Sequence, residues 1–410
     1  MRYHNIKRSS NTNNNSGNTK LRICILCNGG YPTDTLEPIG GVEFATKYLA
    51  EELIKKGHEV HIVARSIEKK TITTDKGLVV HYIAYASSAY LKSEHFRYRY
   101  VIQQLTHPIS SLLVMRIICK IHPDIVQCQH KGHVIAAYLA KIIAKIPYIL
   151  SLHGEIKGDV LFPLPNALKH FWKKLPFISN SSEILCLTND AKDIAEQLLG
   201  NKLTVIPNGV NQEIFHQSGI STRNIQKIEL ICVSRLVNNK GLEDIISAMQ
   251  YIIQEFPNTI LRIVGDGILM NKLVKMTESL QLNKNILFSG KCKQEEVASY
   301  YNQAAIFLLP SLSEGFPLTV LEACSCGLPV ILTPFHGAEE FISQNNCGLI
   351  VPFSSPKILA ESVIKLLSNP SMYETLSHNS INIAKKRSWE QIATHYIECY
   401  SRCIRLKRYT

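Results

Sequence analysis

Short apolar runs alternate with amphipathic helical stretches along this chain, and they do so in two series. The first series opens with Leu21-Arg22-Ile23-Cys24-Ile25-Leu26-Cys27, an apolar run short enough to be a buried strand. A Gly- and Pro-containing loop, Asn28 to Ile39, leads to Gly40-Gly41, which opens an amphipathic helix through about Lys56. Glu59–Ala64, Asp124–Cys128, Tyr148–Leu152 and Ile184–Leu187 read as further strands, and Thr204–Val210 as a strand running into a turn. After a polar stretch from Asn211 to Gln226, strands are expected at Ile228–Val233, Leu261–Val264, Ile286–Ser289, Ile306–Leu309 and Val330–Thr333. Helices are expected between them at Leu242–Phe256, Leu269–Leu280 and Gln294–Asn302. Such alternation builds doubly wound parallel α/β sheets, and two series imply two of them.

Length agrees, since 410 residues exceed what one compact core normally holds. The expected organisation is a disordered tail over residues 1–20, a first Rossmann-like domain over 21–210 and a second over 211–388. The long helix from Trp389 to about Lys407 is a candidate to pack back on the first domain. Ligands bind such sheets beyond the carboxyl ends of the strands, so two facing domains would place a cleft between them.

Charge is uneven. Residues 1–209 hold 26 Lys+Arg against 16 Asp+Glu, net +10, whereas residues 210–410 hold 19 against 17, net +2. A basic half suits a phosphorylated substrate or an anionic membrane surface as well as a plain solvated face. No stripe of interleaved aromatic and basic residues favours nucleic acid. The first twenty residues are polar, and the twelve cysteines are scattered without a pair of CxxC spacings, so a reduced cytosolic compartment with buried thiols is expected. Cys324 and Cys326 read as packing residues. The longest apolar candidate, Val134 to Leu152, is interrupted by Lys141, Lys145 and Pro147, so no transmembrane helix is expected.

Chemistry concentrates in Ser313-Glu314-Gly315-Phe316-Pro317-Leu318-Thr319-Val320-Leu321-Glu322-Ala323. Two carboxylates stand eight positions apart across a loop that turns into a helix. Gly315 lets backbone approach a ligand, Pro317 suits a first helical turn, and Leu318, Thr319 and Val320 offer N–H groups at a helix N-terminus. This is an anion cradle flanked by carboxylates, as a phosphorylated sugar requires. Ser234-Arg235-Leu236 directly follows a strand, with Lys240-Gly241 at the start of the next helix, a pair of cations suited to a diphosphate. His153-Gly154 sits at another strand's carboxyl end, where an imidazole can reach a sugar hydroxyl or move a proton. Gly265-Asp266-Gly267 either borders a nucleotide or merely turns the chain. No DxD pair, HExxH, Walker A or GxSxG sequence is present, so a bound metal, a phosphate-loop ATPase and a serine hydrolase are not implied.

Together these residues resemble the retaining glycosyltransferases of family four, which have the GT-B fold of two facing Rossmann-like domains. The resemblance runs from Leu21 to about Tyr400, and its most specific part is the EX7E motif, Glu314 to Glu322. Pro123-Asp124-Ile125-Val126, Leu152-His153-Gly154, Ile206-Pro207-Asn208-Gly209-Val210 and Gly40-Gly41-Val42-Glu43 are also similar to the family pattern. The resemblance implies a hexosyl-transferring enzyme. It would be metal-independent and cofactor-free, moving a sugar from a UDP-, GDP- or ADP-sugar to a glycan or lipid-linked acceptor, as in cell-surface polysaccharide or glycolipid synthesis. It implies that Arg235 and Lys240 neutralise the diphosphate and that Glu322 holds the ribose. It gives Glu314 and His153 to the donor sugar, the N–H groups of Leu318 and Thr319 to the distal phosphate, and Gly41 to the diphosphate or acceptor. Backbone around Lys291 would edge the base. The rival readings are an epimerase or phosphorylase on the same fold and a non-catalytic sugar- or membrane-binding scaffold. Placement on the cytoplasmic side, as a peripheral protein of an anionic membrane, is a further expectation.

Overall fold

The computed structural model describes residues 19–27, 40–66, 69–84, 110–129, 133–154, 175–199, 203–218 and 228–407. The expected tail, apart from its last two residues, and the expected loop Asn28–Ile39 lie outside the described residues.

Eight strands form the first sheet: β1 Arg22–Leu26, β2 Glu59–Ser66, β3 Lys70–Thr73, β4 Val79–Ala84, β5 Ile125–Cys128, β6 Tyr148–Leu152, β7 Glu183–Cys186 and β8 Leu203–Val205. Their order is β3-β4-β2-β1-β5-β6-β7-β8. Six form the second: β9 Glu229–Val233, β10 Ile260–Val264, β11 Ile286–Gly290, β12 Ile306–Leu309, β13 Val330–Leu332 and β14 Gly348–Ile350, in the order β11-β10-β9-β12-β13-β14. Strands β1, β5, β12 and β13 are buried almost throughout, because helices cover both faces of a parallel sheet and leave no solvated side for polar residues. This is the expected GT-B architecture.

The sequence reading missed β3, β4 and β14. β3 is antiparallel to β4, so the first sheet is not wholly parallel. Asp75-Lys76-Gly77 turns this hairpin, closed by Gly77 N–H on the Thr74 carbonyl at 2.8 Å. Lys70-Thr71-Ile72-Thr73 is a solvent-facing edge, too polar to show the buried-strand pattern.

In each sheet the chain winds outward to one side and then returns to the other side of its first strand. The strand order therefore reverses between β1 and β5 and between β9 and β12. Those reversals open crevices at the strands' carboxyl ends. Gln129 follows β5, Ser234-Arg235 follow β9, and the loop carrying Glu314 follows β12.

The helix Trp389–Lys407 packs on the first sheet's core. Trp389, Ile392, Tyr396 and Tyr400 lie among Ile23, Ile25, Leu49 and Ile62. The Tyr400 hydroxyl donates to Gln127, whose amide donates to Ser151 Oγ at 3.0 Å, so these buried polar groups satisfy one another. The chain crosses between the sheets at Val210 and again at Ser388, and the crossings pair: Val210 N–H donates to the Arg387 carbonyl at 2.8 Å and Trp389 N–H to Val210 at 3.3 Å. Among the described residues no helix is long and apolar enough to cross a membrane.

Candidate functional site

A cleft of about 1230 Å³ runs between the two sheets. It is bordered by Gly40, Gly41, His153, Arg235, Lys240, Gly265, Lys291, Glu314, Gly315, Phe316, Leu318, Thr319 and Glu322, but not by Val320, Gly241 or Gly267. Asp266 is there too, its carboxylate accepting from Gly267 N–H at 2.7 Å.

The short 3-10 turn Asn238–Lys240 aims Lys240 at Glu314, and the two form an ion pair with side chains 10 % and 11 % exposed. Ser311 Oγ donates to the same carboxylate at 2.8 Å, and Thr333 donates to the Ser311 carbonyl at 2.5 Å. Lys240, expected on a diphosphate, is thus held by Glu314. A buried pair gains little net stability over its desolvation cost, so it is better read as stored charge than as a brace. Arg235 is exposed and has no ion-pair partner among the described residues. Backbone spacing around it is tight: Gly265 has φ +135°, and a Cβ there would lie 1.9 Å from the Ser234 carbonyl oxygen.

The loop before the second carboxylate is held from both sides. A Cβ on Gly315 would lie 2.1 Å from the His153 carbonyl oxygen, so the backbones of the two domains meet there. Phe316 adopts φ +106°, strained for a bulky residue. Its ring packs 4.9 Å from the Phe341 ring, with the Arg387 guanidinium 5.6 Å from its centroid. Buried Asn208 donates to the Phe316 carbonyl at 3.0 Å. Two details depart from expectation. Pro317 is the extended N-cap rather than a first-turn residue, because its ψ of 142° lies outside the helix. Val320 N–H folds back on the Pro317 carbonyl at 3.3 Å, leaving the N–H groups of Leu318 and Thr319 with no acceptor among the described residues.

Two helix N-termini converge here. Gly40 caps the helix Gly41–Lys55, Pro317 caps Leu318–Ser325, and a Cβ on Gly41 would lie 4.0 Å from Leu318 Cδ1. Both ends carry partial positive charge from unsatisfied N–H groups. Glu322 lies one turn in, 9 % exposed, and burial pushes its carboxyl up to about 8 while the Tyr301 hydroxyl pulls it partly back. Burial also raises Glu43, which Arg235 across the cleft pulls down.

His153 bonds Gln129, a 1 % exposed side chain just past β5. Phe44 and Lys47, on successive turns of Gly41–Lys55, also face the cleft. Tyr48 Oη donates to Gln294 Oε1, at the cleft's edge, at 2.5 Å, and Gly337 N–H donates to Asp190 at 2.8 Å, tying the domains together. Gln129, Asn208, Glu43, Tyr301, Phe44 and Lys47 were not singled out. Asn208 and Glu43 stood inside quoted motifs, but their partners are distant in sequence.

Residues 213–386 match the family Glycosyl transferases group 1, and residues 39–214 match Glycosyltransferase Family 4. An uncharacterized glycosyltransferase of Methanocaldococcus jannaschii is 32 % identical over 62 % of this chain and 68 % of its own length. This chain belongs to glycosyltransferase family four. A second relative is the phosphatidylinositol N-acetylglucosaminyltransferase GPI3 subunit of Saccharomyces cerevisiae, 25 % identical over 93 % of this chain and 83 % of that protein. Among solved structures, Anabaena HepE in complex with UDP and glucose superposes with a TM-score of 0.70 at 18 % identity, covering 93 % of this chain and 99 % of that one. The family-four assignment makes this protein a glycosyltransferase and sets aside the scaffold reading.

Proposed function

We propose that this glycosyltransferase is retaining and metal-independent, and that it moves a hexose from a nucleotide-sugar to a glycan or lipid-linked acceptor. One observation carries the reading. Arg235, Lys240 and two helix N-termini converge on a single cleft, between Glu314 and Glu322. The leaving nucleoside diphosphate needs dispersed positive charge, and these groups supply it in fixed positions.

In this reading the donor's diphosphate takes Lys240 from Glu314. The exchange neutralises the leaving group and frees the Glu314 carboxylate to face the sugar. The Leu318 and Thr319 N–H groups hold the distal phosphate, Glu322 the ribose hydroxyls, and the backbone at Gly265 and Lys291 the nucleoside. His153, oriented by Gln129, contacts the donor sugar, and Gly40-Gly41 admits the diphosphate closely. The bond from the anomeric carbon to the diphosphate breaks and that to the acceptor oxygen forms on the same face. The acceptor's proton passes to the leaving phosphate oxygen. Tight apposition at Gly315 and His153 limits water, and with it hydrolysis of the donor.

HepE's complex with UDP and glucose supports a UDP-sugar as the first donor to try, ahead of GDP- and ADP-sugars. The yeast relative is by name a phosphatidylinositol glycosyltransferase, which favours a lipid-linked acceptor. The net +10 of residues 1–209 extends this to peripheral docking on a cytoplasmic anionic leaflet. The test is transfer from each nucleotide-sugar to a panel of glycan and lipid acceptors. Proton NMR of the new linkage should show retained anomeric configuration, and EDTA should leave the rate unchanged. An inverted product overturns retention, and loss in EDTA restored by Mg²⁺ overturns metal independence. Sedimentation with anionic but not neutral vesicles checks the membrane arm.

A further inference from the structure

Outside the cleft, one group of side chains has the composition and geometry of a metal site. Cys399 and Cys403 stand four residues apart on Trp389–Lys407, which puts both thiols on one helix face. Glu183, at the start of β7, faces them across the helix–sheet interface. The three ligand atoms lie within 4.8 Å of one another. Both cysteines are 2 % exposed and the Glu183 side chain is 13 % exposed, so the group lies at the wall of the core. None of the three borders the cleft.

We propose that Glu183, Cys399 and Cys403 bind a soft divalent cation, with Zn²⁺ the leading candidate, as a structural clamp between the final helix and the first sheet. Two thiolates and a carboxylate are a zinc donor set, and sulfurs on a tetrahedral zinc sit about 3.8 Å apart, reachable here by small side-chain rotations. A water completes the fourth position. Charge also balances. Arg402 lies 3.4 Å from the Glu183 carboxylate and offsets one negative charge, so two thiolates, one carboxylate, one guanidinium and a divalent ion sum to zero. Thr204 Oγ1 donates to Glu183 Oε1 at 2.5 Å and orients it from the next strand, as outer partners orient metal ligands. Binding releases each thiol's proton, so affinity rises with pH.

The ion would fix a helix that joins the first domain only after the chain has built the second. Its effect falls on stability, and it is separate from the metal independence proposed for transfer. The test uses the full chain, reduced and stripped with a chelator, then titrated with Zn²⁺ against a chromophoric chelator. The wild-type protein is expected to bind one Zn²⁺ with a dissociation constant below about 1 µM. That binding is expected to be lost in Cys399→Ser/Cys403→Ser and weakened at least tenfold in Glu183→Gln. Zn²⁺ should raise the melting temperature of the wild type alone. Cd²⁺ titration of the wild type, followed by thiolate-to-metal absorption, provides a readout that needs no variant. Equal zinc retention by the wild type and the double-serine variant overturns the proposal. So does a wild type that holds no zinc and shows no cadmium–thiolate band.

Discussion

The cleft's two walls are built in opposite ways. On the second domain's wall, side chains carry the chemistry: Lys240 is paired with Glu314, Glu322 is buried with its carboxyl pushed up by that burial, and Arg235 stands free of ion pairs among the described residues. On the first domain's wall the contributions are mostly backbone, from Gly40, Gly41 and Gly154, with His153, Phe44 and Lys47 beside them. The difference teaches where each kind of specificity can reside. Charges held by buried partners demand one geometry, which suits the invariant diphosphate of a nucleotide-sugar. A wall of glycine backbone and a few half-buried side chains constrains its ligand less, so beside the proposed donor contacts at Gly40, Gly41 and His153 it leaves room for acceptors that differ among related enzymes.

Lys240→Ala should break the charged wall hardest. It strands the Glu314 carboxylate, and removing one member of a buried pair costs about 3–5 kcal/mol. Transfer should fall at least about 100-fold, as for loss of a charge-stabilising donor. Adding Glu314→Gln should restore much of the melting temperature but not the rate. A single variant with wild-type kcat would remove Lys240 from the site. Gly315→Ala attacks the line where the walls touch. The added methyl meets the His153 carbonyl, so the domains must separate and turnover should drop about 100-fold. Small-angle scattering should show a more open particle with each domain still folded; an unchanged rate would mean that this contact does not set closure.

Glu322→Gln sharpens the charged wall by pH. Burial raises the folded-state carboxyl from 4.5 to about 8, so between those values the native state holds a proton that the unfolded state has released. Wild-type stability contributed by this group is complete below about pH 4.5 and lost as pH rises to about 8. Melting curves across that window should slope less in the variant, and parallel slopes would contradict a buried neutral Glu322. Tyr48→Phe gives the smallest effect. It deletes one hydrogen bond between the domains, worth about 1 kcal/mol, and should raise KM a few-fold with kcat little changed. A large fall in kcat would assign Tyr48 a more direct role.

The parallel sheets and the cleft wall of the second domain were legible because their signals are local. Buried strands read as apolar runs, and Glu314 through Glu322 compress loop, helix start and both carboxylates into one segment. What escaped depended on partners far along the chain. Nothing around Lys240 announces that Glu314, 74 residues on, will claim its ammonium. Asn208 meets Phe316 across 108 residues, and Gln129 meets His153 only because β5 and β6 are neighbours. The positive φ of Phe316, invisible in composition, packs its ring against Phe341 while the residue still borders the cleft. β3 escaped because a polar edge strand resembles a loop.

The packing of Trp389–Lys407 into the first domain has a consequence for how the chain is born. On the ribosome, the first domain emerges with Ile23, Ile25 and Leu49 lacking the cover of Trp389, Tyr396 and Tyr400 until the second domain has been made. The second domain can close its own core during synthesis, while the first must wait, so the order of synthesis and the order of completion are reversed. A fragment ending near residue 210 should be sticky and poorly folded, whereas joining 389–407 to it by a short linker should yield an autonomous unit.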